Sequence, residues 1–155
     1  MTIPSAPAQV SGVIATAAAK PAMSYPVVVS AYAEFLEKLD YLGEADLALV
    51  EEAFEFAAQA HTGQFRSSGD PYITHPIAVA EICASWKLDA QALMAALMHD
   101  AMEDCGVTRD DIARQFGDTV AELVDGLTKL DKLQFNSREE NQAESFRKML
   151  LAMAR

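Results

Sequence analysis

Leu93-Met94-Ala95-Ala96-Leu97-Met98-His99-Asp100-Ala101-Met102-Glu103-Asp104 is an apolar run of strong helix formers with four polar residues gathered towards its C-terminal end. On a helix, residues four apart share a face, so His99 lies over Glu103 and Asp100 over Asp104. The apolar stripe through Leu93, Ala96 and Leu97 runs on into Asp100 and Asp104. A carboxylate that continues a core-facing stripe must be neutralised, hydrogen-bonded or bound to a cation, because an unpaired buried charge is very costly. A divalent metal meets that requirement. The competing reading is a solvated helix terminus that carries a His-Asp pair.

A third cluster lies upstream, in Tyr72-Ile73-Thr74-His75-Pro76-Ile77. Pro76 suits the first turn of a helix and disfavours helical geometry at the residue before it, so His75 is expected to be extended, at a helix entrance, with its imidazole directed at a neighbouring helix. Imidazole together with carboxylate suits zinc, manganese or iron, and a site of this kind with open coordination positions is built for catalysis.

Working outward, the helical spacing of apolar residues holds nearly everywhere, and Val27-Val28-Val29 is the only β-branched run, so the chain reads as all-α. Its 155 residues, 51% apolar, suffice for one domain with a real core. A net charge of -11 argues against a nucleic-acid surface, which needs basic groups to replace phosphate counterions. It leaves room for a small phosphorylated ligand, since a metal and a few local cations can dominate one cleft. Cys83 and Cys105 fit neither a zinc knuckle nor a redox pair and read as reduced thiols of a cytoplasmic protein. No segment approaches the roughly 18–20 apolar residues of a membrane span.

Residues 1–26, rich in Ala, Pro, Ser and Val, read as a disordered tail rather than a signal peptide. Helices are expected over Val28–Asp40 and Glu44–His61, then from about Pro76 to Lys87 and from Asp89 to Asp104. A short helix follows, capped by Thr108 with Asp111 three residues on, and then helices at Thr119–Leu130 and Arg138–Arg155. Residues 129–138 between the last two read as polar and mobile. The loop Gln64-Phe65-Arg66-Ser67-Ser68-Gly69-Asp70-Pro71 is too rich in turn formers to be helical, and it feeds directly into His75, which makes it a candidate substrate-facing segment. His61 reads as a packing residue at a helix end.

These residues also carry a family pattern. The run Ala60-His61-Thr62-Gly63-Gln64-Phe65-Arg66-Ser67-Ser68-Gly69-Asp70-Pro71-Tyr72-Ile73-Thr74-His75-Pro76 closely resembles the N-terminal hydrolase domain of the RelA/SpoT homologues, the enzymes of the stringent response. Ala95 to Asp104, Phe116-Gly117, Val124-Asp125-Gly126-Leu127-Thr128-Lys129-Leu130 and Gln142 to Met149 continue the resemblance in order, over roughly residues 45–155. It implies an all-helical His-Asp (HD) domain bundle over residues 27–155 that removes pyrophosphate from the 3′ position of guanosine tetra- or pentaphosphate, using manganese. Carried over by position, His75, His99 and Asp100 are the implied metal ligands, Glu103 and Asp104 the groups that position and activate water, Arg66 the contact to guanine, and Ser68 a neighbour of the nucleotide.

Two departures qualify the resemblance. Cys105 stands where the family has Thr, and the family's fourth ligand, in an Ala-Asp-Arg-x-His-Asn motif, is expected beyond Arg155. The implied picture is an HD domain truncated on its C-terminal side, with a synthetase domain and regulatory domains in the parent protein. Synthesis-only branches of the family have degenerate motifs, whereas His99-Asp100 and Glu103-Asp104 are intact here. Two other readings stand beside this one: a non-catalytic regulatory or interaction module, and an HD phosphohydrolase acting on another nucleotide.

Overall fold

The computed structural model describes residues 20–132, and side chains through residue 128. Within that span six helices follow one another: α1 (Pro26–Glu37), α2 (Glu44–Ala60), α3 (Thr74–Ser85), α4 (Ala90–Asp104), α5 (Arg109–Phe116) and α6 (Asp118–Lys132). The all-α reading holds; among the described residues the only β feature is one isolated bridge, Phe65 to Pro71. No helix there is long and apolar enough to cross a membrane.

Helix α4 is the hub, packed against α2, α3 and α6, while α1 lies on α3 and α5 on α6. Its sequence explains the position. Every residue from Ala90 to Ala101 except Gln91 is buried, so the helix is apolar on all sides rather than along one stripe. The alanines let neighbouring helices approach closely, and Leu93, Met94, Leu97 and Met98 fill the space between them at 0–2% exposure. Asp89 starts it: its carboxylate accepts from the Ala92 N–H at 2.9 Å, satisfying one of the orphan donors of the first turn. Facing α4, the stripe Val120, Ala121, Val124, Leu127 and Thr128 on α6 is buried at helical spacing. The Thr128 hydroxyl lies 3.1 Å from the His99 carbonyl and 3.0 Å from that of Val124, bringing the two helices together at the level of the His-Asp pair.

The expected capping box is present, with Thr108 Oγ1 accepting from the Asp111 N–H and the Asp111 carboxylate from the Thr108 N–H. Only Gly117 separates α5 from α6. Its φ of 97° is the left-handed geometry that favours glycine, and a β-carbon there would meet open space, so conformation and not room selects the residue.

Several boundaries differ from expectation. Residues 22–24, assigned to the tail, form a 3-10 turn, and Pro26 opens α1 at its first helical position, where its missing N–H costs nothing. Helix α6 continues through Lys132, so residues 129–132 are helical rather than loop. The expected helix Arg138–Arg155 lies outside the described residues. Helix α3 starts at Thr74, which puts His75 inside its first turn instead of in an extended segment. The restriction that Pro76 places on His75 is outweighed locally: the Tyr72 carbonyl accepts from the His75 N–H at 2.9 Å, and the Ile73 carbonyl from the Ile77 N–H at 3.1 Å.

Candidate active site

The last turns of α4 and the first turn of α3 bring three of the predicted residues together. His99 and Asp100 are 1% and 3% exposed, and His75 is buried as well. His99 Nε2 stands 3.1 Å from Asp100 Oδ1, and His75 Nε2 stands 3.6 Å from Asp100 Oδ2. The tautomer of His99 follows from its other nitrogen. Nδ1 lies 2.9 Å from the Ala96 carbonyl, which can only accept, so Nδ1 carries the hydrogen and neutral His99 presents a lone pair at Nε2. That lone pair faces a carboxylate oxygen, an acceptor opposite an acceptor. A proton on Nε2 or a cation shared by the two relieves the conflict.

The donor set fits a first-row divalent cation. Two donors each about 2.1 Å from one such ion stand about 3.0–3.4 Å apart, close to the separations found here. An imidazole whose far nitrogen donates to a backbone carbonyl is also the usual arrangement of a metal-bound histidine. Among the described residues, no group of three or more His, Cys, Asp or Glu side chains is placed so that it could hold a metal ion as it stands, so the residues approach one another without completing a site.

Asp104 and Glu103 complete the predicted set at the rim, and both are exposed. The stripe read from the sequence therefore enters the core at Asp100 and leaves it one turn later. Partial loss of solvent, then the charge of Asp100, raise the Asp104 carboxyl above the ordinary carboxylate range, partly offset by His61, His99 and His75. A carboxyl raised in this way is a better proton acceptor than an ordinary surface aspartate.

The loop before α3 closes on itself through the Phe65 to Pro71 bridge and through the Arg66 N–H to the Asp70 carbonyl at 2.8 Å. Arg66 is half-buried, and its charge is felt by the Tyr72 hydroxyl. Ser68 is exposed, its hydroxyl 3.5 Å from the Asp70 carboxylate. The structure thus groups His75, His99, Asp100 and Asp104, with Arg66 and Ser68 on the loop that precedes α3.

One residue of the site was not singled out from the sequence, and a second was read only as packing. Tyr72 donates its hydroxyl to Asp100 Oδ2 at 3.0 Å; burial, then the Asp100 charge and this bond, push its ionisation far above the usual tyrosine range, so it stays a donor. His61, read as a packing residue, is 3% exposed and does pack, its ring 4.9 Å from that of Tyr72, yet its charge environment includes Asp100 and Asp104. Its Nδ1 lies 2.9 Å from Gln64 Oε1 and 3.3 Å from Cys105 Sγ, while Nε2 is buried without a hydrogen-bond partner. Burial lowers its basicity, leaving a neutral ring. The available signal for Tyr72 was its place three residues before His75, at the mouth of the same helix.

Comparison with known proteins agrees with this geometry. The HD domain family model matches residues 53–155. The chain is 55% identical over 114 residues to a Vibrio cholerae guanosine-3′,5′-bis(diphosphate) 3′-pyrophosphohydrolase, covering 74% of this chain and 16% of that one. It is 55% identical over 113 residues to the bifunctional (p)ppGpp synthase/hydrolase SpoT of Escherichia coli, covering 73% of this chain and 16% of the relative. A probable GTP pyrophosphokinase of Mycobacterium leprae is 50% identical over 116 residues, 75% of this chain and 14% of that protein. The chain thus spans about a sixth of the length of the first relatives it matches. With the family model covering well over half of its residues and the His-Asp pair at the centre of its fold, the chain belongs to the HD domain family, and its HD region is of the RelA/SpoT kind.

Proposed function

We propose that this chain removes the 3′-pyrophosphate of guanosine tetra- or pentaphosphate, releasing pyrophosphate and leaving GDP or GTP. The observation that carries the reading is the buried Asp100 carboxylate flanked by two imidazole Nε2 atoms, on a helix whose next turn ends in Asp104. His75, His99 and Asp100 would hold the divalent cation on which HD hydrolases depend, with manganese as its identity. Such a cation lowers the pKa of bound water and takes up charge on phosphoryl oxygens.

The chain's own groups do the rest. Asp104, its carboxyl raised and its position at the rim open to solvent, accepts the proton of the attacking water, and Glu103 orients that water. The bond from water oxygen to phosphorus forms as the bond from phosphorus to O3′ breaks; the departing O3′ takes up a proton from solvent and Asp104 returns the one it accepted to solvent, so that one water is divided between the pyrophosphate and the 3′-hydroxyl. Arg66 lays its planar guanidinium against the guanine, with Ser68 near the nucleotide. A surface of net charge -11 gives a polyanion little general attraction, so affinity rests on Arg66 and the cation. The names of the relatives support this substrate, and that of the E. coli protein supports an adjoining synthetase domain. The free thiols Cys83 and Cys105 support a reducing, cytoplasmic setting.

The test is pyrophosphate release from guanosine tetraphosphate with manganese by a longer protein that carries this chain and the expected Ala-Asp-Arg-x-His-Asn motif, for wild type and His99→Ala, beside the same assay on deoxynucleoside triphosphates. Turnover of guanosine tetraphosphate that His99→Ala abolishes is expected. Equal rates in the two proteins, or faster release from deoxynucleotides, would overturn the assignment.

A further inference from the structure

Asp100 has two oxygens and three close neighbours. Oδ1 faces His99, whereas Oδ2 faces both His75 at 3.6 Å and the Tyr72 hydroxyl at 3.0 Å. Of these three neighbours, only Tyr72 is a donor whatever the state of the imidazoles. A carboxylate turns freely about its last bond unless something holds one oxygen, and here the hydroxyl does so. The tyrosine itself is held in place. Its ring lies 4.9 Å from that of His61 and 5.6 Å from that of His75, and its backbone N–H donates to the Gln64 carbonyl at 2.8 Å. That last bond closes the base of the loop that carries Arg66. One residue therefore joins the loop to the central carboxylate.

We propose that Tyr72 is a positioning residue for the metal centre: its hydroxyl fixes the rotation of Asp100 so that the carboxylate and the two imidazoles converge on one cation, and its backbone sets the Arg66 loop beside them. The inference rests on the reading of His75, His99 and Asp100 as ligands. Outer partners of ligating groups are typically worth about 10–100-fold in metal affinity. A tyrosine that merely packs would lose stability on substitution and leave that affinity alone.

The experiment titrates the chain with Mn2+ and follows paramagnetic broadening of the histidine ring C–H signals in NMR spectra, which reports occupancy even at millimolar affinity. Tyr72→Phe keeps the ring and its contacts and removes only the hydroxyl. Tyr41→Phe is the matched control, removing another tyrosine hydroxyl, which donates to the Leu88 carbonyl before the start of α4 and touches none of the proposed ligands. Thermal melts in EDTA establish that each variant folds. The expected result is an apparent dissociation constant for Mn2+ raised about tenfold in Tyr72→Phe and unchanged in Tyr41→Phe. Wild-type affinity in Tyr72→Phe, or an equal loss in both variants, overturns the inference while the ligand assignment stands. If His99→Ala broadens as wild type does, the ligand assignment falls, and this inference with it.

Discussion

Replacing Asp100 by asparagine should make the metal-free protein more stable, not less. In the wild type, a nearly fully buried carboxylate presents Oδ1 to His99 Nε2 at 3.1 Å, and the Ala96 carbonyl has already claimed the proton of that ring at Nδ1. Without a cation, a lone pair on His99 Nε2 and Asp100 Oδ1 set acceptor against acceptor. An amide in the same place turns its NH2 towards Nε2 and keeps its oxygen for the Tyr72 hydroxyl, 3.0 Å away in the wild type, so the His99 contact becomes a hydrogen bond and the Tyr72 one is retained. One recovered hydrogen bond is worth about 0.5–1.5 kcal/mol. A gain of about 1 kcal/mol corresponds to a melting point about 2–4 °C higher for a chain of this size. The assay is thermal unfolding followed by circular dichroism at about pH 8, above the ordinary histidine range, in EDTA and again with manganese. Asp100→Asn should melt above wild type in EDTA, and manganese should raise the wild type alone. A variant that melts below wild type in EDTA would refute the reasoning, because it would mean that the carboxylate is satisfied without a cation.

Three further outcomes follow from other parts of the molecule. Leu97→Ala, at a fully buried position where α4 meets its neighbours, should cost about 2–5 kcal/mol in denaturant unfolding, and a loss below about 1 kcal/mol would contradict the central place given to α4. The Thr108 N–H holds the Asp111 carboxyl below the ordinary carboxylate range. A carboxylate depressed in the folded state contributes its full stability above the ordinary range and loses it as pH falls through the lowered value. The melting difference between wild type and Asp111→Ala should therefore be present at neutral pH and gone by about pH 2; a constant difference would remove the capping box as its cause. Burial pushes the Cys105 thiol up to about 11 and that of Cys83 up to about 12. At about pH 8 both should react with iodoacetamide at least tenfold more slowly than free cysteine, with Cys83 the slower, and rapid labelling of Cys105 would show that its burial does not persist.

Much of this arrangement is legible in the chain before any coordinates. A helix of Leu, Met and Ala with polar groups crowded at one end has few alternatives, and the i, i+4 relation correctly put Asp100 in the core. The same rule said nothing about where the core ends, so Glu103 and Asp104 emerged as rim residues and not as a continuation of the buried stripe. His75 was located correctly but given the wrong backbone. The bias of a residue before proline is a local preference, and at a helix start it yields to two hydrogen bonds from the preceding turn. Tyr72 was missed for a different reason. Its role arises from a contact between the mouth of α3 and the end of α4, and nothing in a single sequence announces which tyrosine reaches which carboxylate across 28 residues.

Helix α4 has one more consequence, for how variants of this protein are read. Ala92, Ala95 and Ala96 are at most 2% exposed, with helices on every side, so any larger side chain there meets backbone that cannot recede. The segment that presents His99 and Asp100 is thus also the segment least tolerant of change. Random substitution will silence the protein along α4 most often by unfolding it. A screen scored by activity alone would paint the whole helix as catalytic, and only abundance measured beside activity would separate the residues proposed to act on metal and water from the alanines that give them a place to stand.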